Sequence, residues 1–207
     1  MTDATATPLR SFLFTPANHP RRVEKVFEVG ADAVILDLED AVAVSEKAGA
    51  RQCVVDAFSA RPNSGTQYYV RVNSIDTPYC EEDIKATVGP WLHGVVLPKV
   101  ESGSCLNRAE QWLAAAEAAC GMTLGQLDLM PIIETAAGVE SAKEIATTNS
   151  RIRRMAFGGW DYTLDLNLKS LIYSNRAAVQ QFLKHGTGGI ILNMGSVLGY
   201  APSPDFF

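Results

Sequence analysis

The residues of this chain that could do chemistry stand at the ends of apolar runs. AVILDLED (33–40) closes on Asp37, Glu39 and Asp40, and YYVRVN (68–73) carries Arg71. GVVLPKV (94–100) holds Lys99, LDLMPIIET (127–135) holds Glu134, and RMAFGGWD (154–161) ends on Asp161. At the ends of neighbouring strands, Glu134 and Asp161 lie roughly 5 Å apart in backbone terms. Two carboxylates that close repel unless a cation or a shared proton intervenes. Magnesium suits them, since one or two carboxylates commonly hold it while water and substrate oxygens complete its octahedron. Arg71, two strands away, is placed to fork onto a carboxylate or to stabilise a developing oxyanion. For Asp37, Glu39 and Asp40 a second role stays open, a structural bridge to Lys99 or Arg71. Glu140, in GVESAKEIA, reads as helix-start decoration favoured by the dipole.

Those residues need elements that deliver them to one place. Strand-like runs, namely RSFLFTP (10–16), the five above and GGIILNMG (188–195), alternate with amphipathic stretches. RRVEKVFEVG stops at Gly30 and CLNRAEQWLAAAEAACG at Gly121, as helices do. Such alternation predicts a parallel sheet wrapped by helices, either open and doubly wound or closed as a (β/α)₈ barrel. A dinucleotide fold would place G-x-G-x-x-G after its first strand. Here TPANHP follows, without a glycine, so the barrel is the prediction. Side-chain parity agrees: Val34, Leu36 and Leu38 share a face for helices to cover, while Asp37 and Glu39 share the other. Likewise Val70 and Val72 oppose Tyr69, Arg71 and Asn73. With Lys99, Glu134 and Asp161 ending the fourth, fifth and sixth strands, five consecutive strands finish in charge. In a barrel those ends converge on the face where active sites are built.

Composition narrows the classes. The 207 residues, 47% apolar and 20% charged, describe a soluble globular protein with one sizeable core. A net charge of −5 and no Lys/Arg cluster argue against nucleic acid but admit a small anionic ligand at a local cation. No apolar run approaches the roughly 18 residues of a membrane helix. MTDATATPLR lacks the basic and hydrophobic regions of a secretory signal. Cys53, Cys80, Cys105 and Cys120 form no C-x-x-C pair, and His19, His93 and His185 no zinc-type pair. The cysteines read as apolar fillers in a reducing compartment, the cytoplasm.

Six stretches in order closely resemble one known family: RSFLFTPAN, AVILDLEDAV followed by EKAGAR, YVRVN, VVLPKVES, PIIETAAGV and FGGWDYTLDL. This is the citrate lyase β-subunit-like branch of the HpcH/HpaI aldolase superfamily of CoA-ester lyases, and the resemblance covers roughly residues 9–166. It implies a (β/α)₈ fold, bound Mg²⁺, oligomerisation, and chemistry that makes or breaks a C–C bond between an acyl-CoA and a 2-oxo acid. It also implies Glu134 and Asp161 as metal ligands and Arg71 as a substrate contact, the three residues already chosen on chemical grounds. Arg71 and Glu134 are thus the candidate catalytic residues. Arg71, Glu134, Asp37, Glu39 and Lys99 are the candidate substrate-binding set, and Glu134 and Asp161 the candidate metal ligands.

Beyond Leu166 the text changes. A lyase of that family would continue through two more strand–helix units and a C-terminal lid. Residues 167–207 resemble instead a fragment of a short-chain dehydrogenase, with Asn167 and Ser196 matching two of that family's catalytic set. Its Tyr-x-x-x-Lys and Gly-rich loop are not found, and GTGG (186–189) precedes a strand rather than following one. Ser196 therefore reads as a turn residue. Leu168, Leu171, Ile172, Val179 and Phe182 form a helical stripe. The expected architecture is an incomplete α/β barrel of the (β/α)₈ TIM type. Residues 1–166 give six lyase-like strands, and 167–207 pack into the same domain with a foreign seventh, leaving an open edge.

The predicted function is Mg²⁺-dependent carbon–carbon lysis of a 3-hydroxyacyl-CoA of malyl-CoA, citramalyl-CoA or citryl type. The products are acetyl-CoA and a 2-oxo acid, or the reaction runs in reverse as a condensation. The partners implied are a small-molecule substrate and further copies of the chain, with no nucleic acid and no membrane. Competing readings are a non-catalytic or weakly active lyase-fold protein and a dehydrogenase fragment.

Overall fold

Six parallel strands pair in the order in which the chain makes them: β1 (Phe12–Pro16), β2 (Ala33–Asp37), β3 (Gln67–Arg71), β4 (Gly94–Leu97), β5 (Asp128–Ile133) and β6 (Ala156–Phe157). A doubly wound sheet reverses its strand order at a switch point, whereas a barrel does not. The order here is that of a barrel in progress. The computed structural model describes residues 9–61 and 65–166, with 176, 179–181, 183, 184 and 186 beyond them. The chain divides into two compact units, Met1–Tyr162 and Thr163–Phe207, and all six strands belong to the first.

Alternation along the strands sorts the core into two layers. Val34, Leu36, Val70, Val95, Leu97 and Leu129 join one buried cluster with residues of the helices, among them Val54, Ile84 and Leu113. Those helices are α1 (Pro20–Val26), α2 (Lys47–Ser59), α3 (Cys80–Thr87) and α4 (Gly103–Ala119). Ala33, Ile35, Tyr69, Val96, Met130 and Ile132 meet in a second cluster on the opposite face. A sheet whose far face forms its own core is curled, with that face turned inward. Each fully buried Leu or Ile contributes about 2 kcal/mol to holding these layers together. Near the amino ends of the strands, Tyr69 Oη donates to Asp128 Oδ2 at 2.7 Å across β4. Gly94 makes the crossing feasible, since a Cβ there would stand 2.4 Å from the Tyr69 ring and 2.7 Å from Asp128 Cβ.

Helix ends follow their local sequence. Pro20 opens α1, and Gly30 beyond it adopts φ +79°. Cys120 caps the end of α4, and Gly121 takes φ +67°, which only glycine adopts at little cost. After β5 the chain makes α5 (Ala136–Glu140) and α6 (Ala142–Thr147), and after β6 it makes α7 (Gly159–Leu164). Glu140 is therefore the last residue of α5, not a helix-start acid. No helix among the described residues is long and apolar enough to cross a membrane.

Three strand-end expectations change. β4 stops at Leu97, so Lys99 lies two residues past it, with φ +54°. β6 stops at Phe157, so Asp161 sits in the first turn of α7 rather than at a strand end. Asn73 does not share the face of Arg71: two residues beyond β3, its side chain meets Lys47 and Asp83 of α2 and α3. In each case the chain has left the sheet, and with it the period of two. The predicted seventh strand (188–195), Asn167 and Ser196 lie outside the described residues, as do four of the five stripe residues. Val179, the fifth, has helical backbone.

Candidate active site at the carboxyl ends of the strands

Asp37 and Arg71 end β2 and β3 as register partners, so a short acid on one strand meets a long fork on the next. Arg71 Nε and Nη2 donate to Asp37 Oδ1 and Oδ2, both at 2.7 Å. This bidentate pairing is the strongest form of such a contact. Asp37 Oδ1 also accepts the backbone N–H of Glu39 at 2.9 Å, which fixes how the chain leaves the strand. On the neighbouring β1, the Phe14 ring lies 5.2 Å from the Arg71 guanidinium. Burial opposes the charge on Arg71, but Asp37, Glu39 and Glu134 outweigh it and hold the group above its ordinary value.

Glu39, only 4% exposed, receives both cations of the site. Lys99 Nζ donates to its Oε1 at 2.6 Å, and Arg71 Nη1 stands 3.1 Å from Oε2. Lys99 also reaches the exposed Asp40 at 3.2 Å. Burial pushes the Glu39 carboxyl up, and Lys99 and Arg71 pull against it. The bridges left open from the sequence are thus present: Asp37 to Arg71, and Glu39 to both cations.

Glu134 follows β5 directly and is 3% exposed. Its Oε1 accepts the Lys99 backbone N–H at 2.9 Å, and the left-handed turn at Lys99 is what presents that N–H. Burial drives the Glu134 carboxyl up, the Lys99 N–H draws it down, and the charges of Glu39 and Asp161 raise it again, to about 7. Gly158 admits the carboxylate, because a Cβ there would stand 2.5 Å from Glu134 Oε2. Among the described residues no cation forms an ion pair with Glu134 or Asp161. Nor do the described residues hold a cluster of three His, Cys, Asp or Glu able to cage a metal. Two carboxylates without a protein cation fit an ion that keeps water and substrate in its shell, as Mg²⁺ does, rather than a closed zinc or calcium site.

The structure joins the predicted residues Asp37, Glu39, Arg71, Lys99 and Glu134 in one hydrogen-bonded group, with Asp161 close enough to act on Glu134, while sequence reasoning had them only converging on one face. That reasoning missed what lies beneath them. Lys47, 6% exposed, donates to Leu38 O, Glu39 O and Asn73 Oδ1, and burial lowers its pKa. Asp83, fully buried, joins Asn73 to Arg51. The available signal was the i, i+4 spacing of Lys47 and Arg51 in EKAGAR, which puts both on one face of a helix.

Comparison with known proteins follows the same outline. The profile of the HpcH/HpaI aldolase/citrate lyase family matches residues 10–188, running past the change of text after Leu166. The chain is 37% identical over 157 residues to the citrate lyase subunit beta of Leuconostoc mesenteroides subsp. cremoris, covering 76% of this chain and 52% of that protein. It is 32% identical over 168 residues to the L-malyl-CoA/beta-methylmalyl-CoA lyase of Cereibacter sphaeroides, covering 80% and 52%. The chain thus spans about half the length of these relatives. Among solved structures, the citrate lyase beta subunit of Mycobacterium tuberculosis complexed with oxaloacetate and magnesium superposes with a TM-score of 0.59 at 32% identity, over 75% of this chain and 60% of that one. The dehydrogenase resemblance of residues 167–207 gains no support from these matches.

Proposed function

We infer the function from one premise: the chain belongs to the HpcH/HpaI aldolase/citrate lyase family. On that premise the site is a Mg²⁺-dependent centre for cleaving, or forming, the C–C bond of a malyl-, citramalyl- or citryl-type CoA thioester. The products of cleavage are acetyl-CoA and a 2-oxo acid. The observation that carries this reading is the partition of charge at the mouth. Arg71 and Lys99 pair with Asp37, Glu39 and Asp40, while among the described residues no cation forms an ion pair with Glu134 or Asp161.

Glu134 and Asp161 would hold the metal. Magnesium bound there supplies Lewis acidity toward the carboxylate and the 2-hydroxyl or 2-oxo oxygen of the substrate. The Lys99 N–H keeps Glu134 pointed into the mouth, and Gly158 leaves room for it. In cleavage the 2-hydroxyl gives its proton to a base and becomes the carbonyl of the 2-oxo acid as the C–C bonding pair moves onto the thioester. The resulting enolate, whose oxygen needs a fixed positive group, is then protonated at carbon to give acetyl-CoA. Arg71, clamped by Asp37 and so already oriented, is that group. Asp37 and Glu39 hold it in place, Lys99 braces Glu39, and all three border the substrate. The lyase segment is residues 1–166, acting in the cytoplasm as a homo-oligomer. Four unpaired cysteines agree with a reducing compartment, and light scattering checks the assembly.

The test is incubation with malyl-CoA and with citramalyl-CoA, with and without Mg²⁺. Metal-dependent release of acetyl-CoA from either, lost in Glu134→Ala, is the expected result. No release from both substrates, together with no Mg²⁺-dependent binding of oxaloacetate, overturns the reading.

A further inference from the structure

Two side chains of the EKAGAR stretch, Lys47 and Arg51, are drawn beneath the site. Lys47 opens α2, and its ammonium donates to Leu38 O at 2.8 Å, Glu39 O at 3.1 Å and Asn73 Oδ1 at 2.7 Å. All three of its hydrogens are thereby used. Asn73 in turn donates to Leu38 O at 3.0 Å and to Asp83 at 2.6 Å, and its backbone N–H meets the same Asp83 oxygen at 2.9 Å. Arg51, one helical turn beyond Lys47, holds the other Asp83 oxygen at 2.7 Å.

A buried ammonium with no directly paired carboxylate is costly, and Lys47 forms no ion pair among the described residues. What it grips is the backbone that has just left β2. Glu39 stands at the centre of that grip. Its carbonyl is held by Lys47 from below, while its carboxylate lies between Lys99 and Arg71 above. Asn73, two residues past Arg71, carries the same tie to the end of β3.

We propose that Lys47 is a positioning residue of the active site. By holding the carbonyls of Leu38 and Glu39 and tying them through Asn73 to β3, it fixes the Glu39 carboxylate between the two cations that face substrate. The functional consequence rests on the lyase reading above. A lysine of purely structural value would lower stability when replaced and leave ligand affinity of the folded protein unchanged. A positioning lysine loses affinity, and loses it through Glu39.

Oxaloacetate, titrated by calorimetry with Mg²⁺ present, is the probe. The proteins are the full chain, Lys47→Met, Glu39→Gln, the double variant, and Lys85→Met as an exposed-lysine control on α3. Lys47→Met raises Kd by about tenfold or more, the usual scale for groups that orient ligand-binding residues, and Lys85→Met by less than about twofold. In the Glu39→Gln background Lys47→Met adds less than about twofold, since two residues acting through one contact are not additive. Unchanged affinity in Lys47→Met, or full additivity in the double variant, overturns the proposal. Should Lys47→Met fail to fold, Asn73→Ala keeps Lys47 on both carbonyls while untying β3, and passes through the same cycle with the same criteria. If the full chain binds no oxaloacetate and releases no acetyl-CoA from either thioester, the lyase reading fails; whenever oxaloacetate does not bind, the positioning role is decided on the free protein. There the Arg71 Nε–H, protected by Asp37, must exchange faster in Lys47→Met than in the full chain, and an unchanged rate overturns the proposal.

Discussion

Gly158→Ala is the sharpest test of how Glu134, the proposed metal ligand, is held. Gly158 does not adopt a left-handed φ, so alanine adds no backbone strain and the effect is one of space. The new methyl would stand 2.5 Å from Glu134 Oε2, 2.8 Å from Glu134 Cβ and 3.3 Å from Ile132 Cγ2. The oxygen could swing aside, but the Cβ is fixed to β5 and the site is buried, so the whole Glu134 side chain must move. Moving it breaks the 2.9 Å bond from the Lys99 N–H. A hydrogen bond to a charged group is worth about 1.5–3 kcal/mol, which predicts a loss of Mg²⁺ affinity of about ten- to a hundredfold. Overpacking costs a further 1–3 kcal/mol or so of folding stability. The neighbouring glycine is the control: a Cβ on Gly159 would meet only Phe157 Cε1, at an ordinary 3.8 Å. Affinity is read by Mg²⁺ calorimetry or Mn²⁺ electron paramagnetic resonance, and stability by urea unfolding of the metal-free proteins. Gly158→Ala binding metal as tightly as the full chain, or Gly159→Ala losing as much, refutes the assignment of Glu134 as a ligand locked by this contact.

Glu134 also gives the metal-free protein a pH dependence. Its folded pKa, about 7, exceeds an ordinary glutamate's value of about 4.3, so the native state binds the proton more tightly than the unfolded chain does. That stability is fully present below the unfolded value and is lost as pH rises through about 7. Urea midpoints of the full chain should therefore fall relative to those of Glu134→Gln across this window, and a constant difference refutes the cause. Arg71→Lys keeps the charge but not the fork on Asp37, and turnover should drop about a hundredfold or more in a steady-state assay of acetyl-CoA release. Arg151→Met breaks a buried pair with Glu117, 2% and 0% exposed. It should cost about 3–5 kcal/mol in urea unfolding while leaving Mg²⁺ affinity unchanged by calorimetry.

The sheet and most of the site were legible because strands impose a period of two. Val34 and Leu36 against Asp37, and Val70 against Tyr69 and Arg71, fall on the faces their spacing assigns. The same rule fails where the chain leaves the sheet. Pro98 and Lys99 turn through a left-handed backbone, Gly158 and Gly159 lead at once into α7, and Asn73 points toward helices. No pattern of alternate residues encodes those turns, since each is set by a tertiary contact: the Lys99 N–H with Glu134, the close approach of Gly158 to Glu134, and Asn73 with Asp83. The layer below the site was hidden for a related reason. Lys47 on an amphipathic helix looks like a solvated charge until the carbonyls it holds are known.

The division of labour among the acids comes from geometry that residue type does not supply. Asp37, Glu39, Asp40, Glu134 and Asp161 are five carboxylates, and among the described residues only Arg71 and Lys99 form ion pairs with any of them. Arg71 is long and flat, and register puts it opposite Asp37, so it takes Asp37 with two bonds and approaches Glu39 with its third nitrogen. Lys99 reaches back from its turn to Glu39 and Asp40, yet gives Glu134 only a backbone N–H. The two acids left over are Glu134, just after β5, and Asp161 on α7, and a divalent cation bound between them would balance both carboxylates once Glu134 gives up its proton. The proposed metal ligands are thus the two carboxylates with which no cation among the described residues forms an ion pair. Removing one of the two charges, as in Asp161→Asn, should weaken Mg²⁺ binding by about tenfold, the scale of a charge-assisted contact. Undiminished affinity in calorimetry would show that the ion is held by something other than this unbalanced pair.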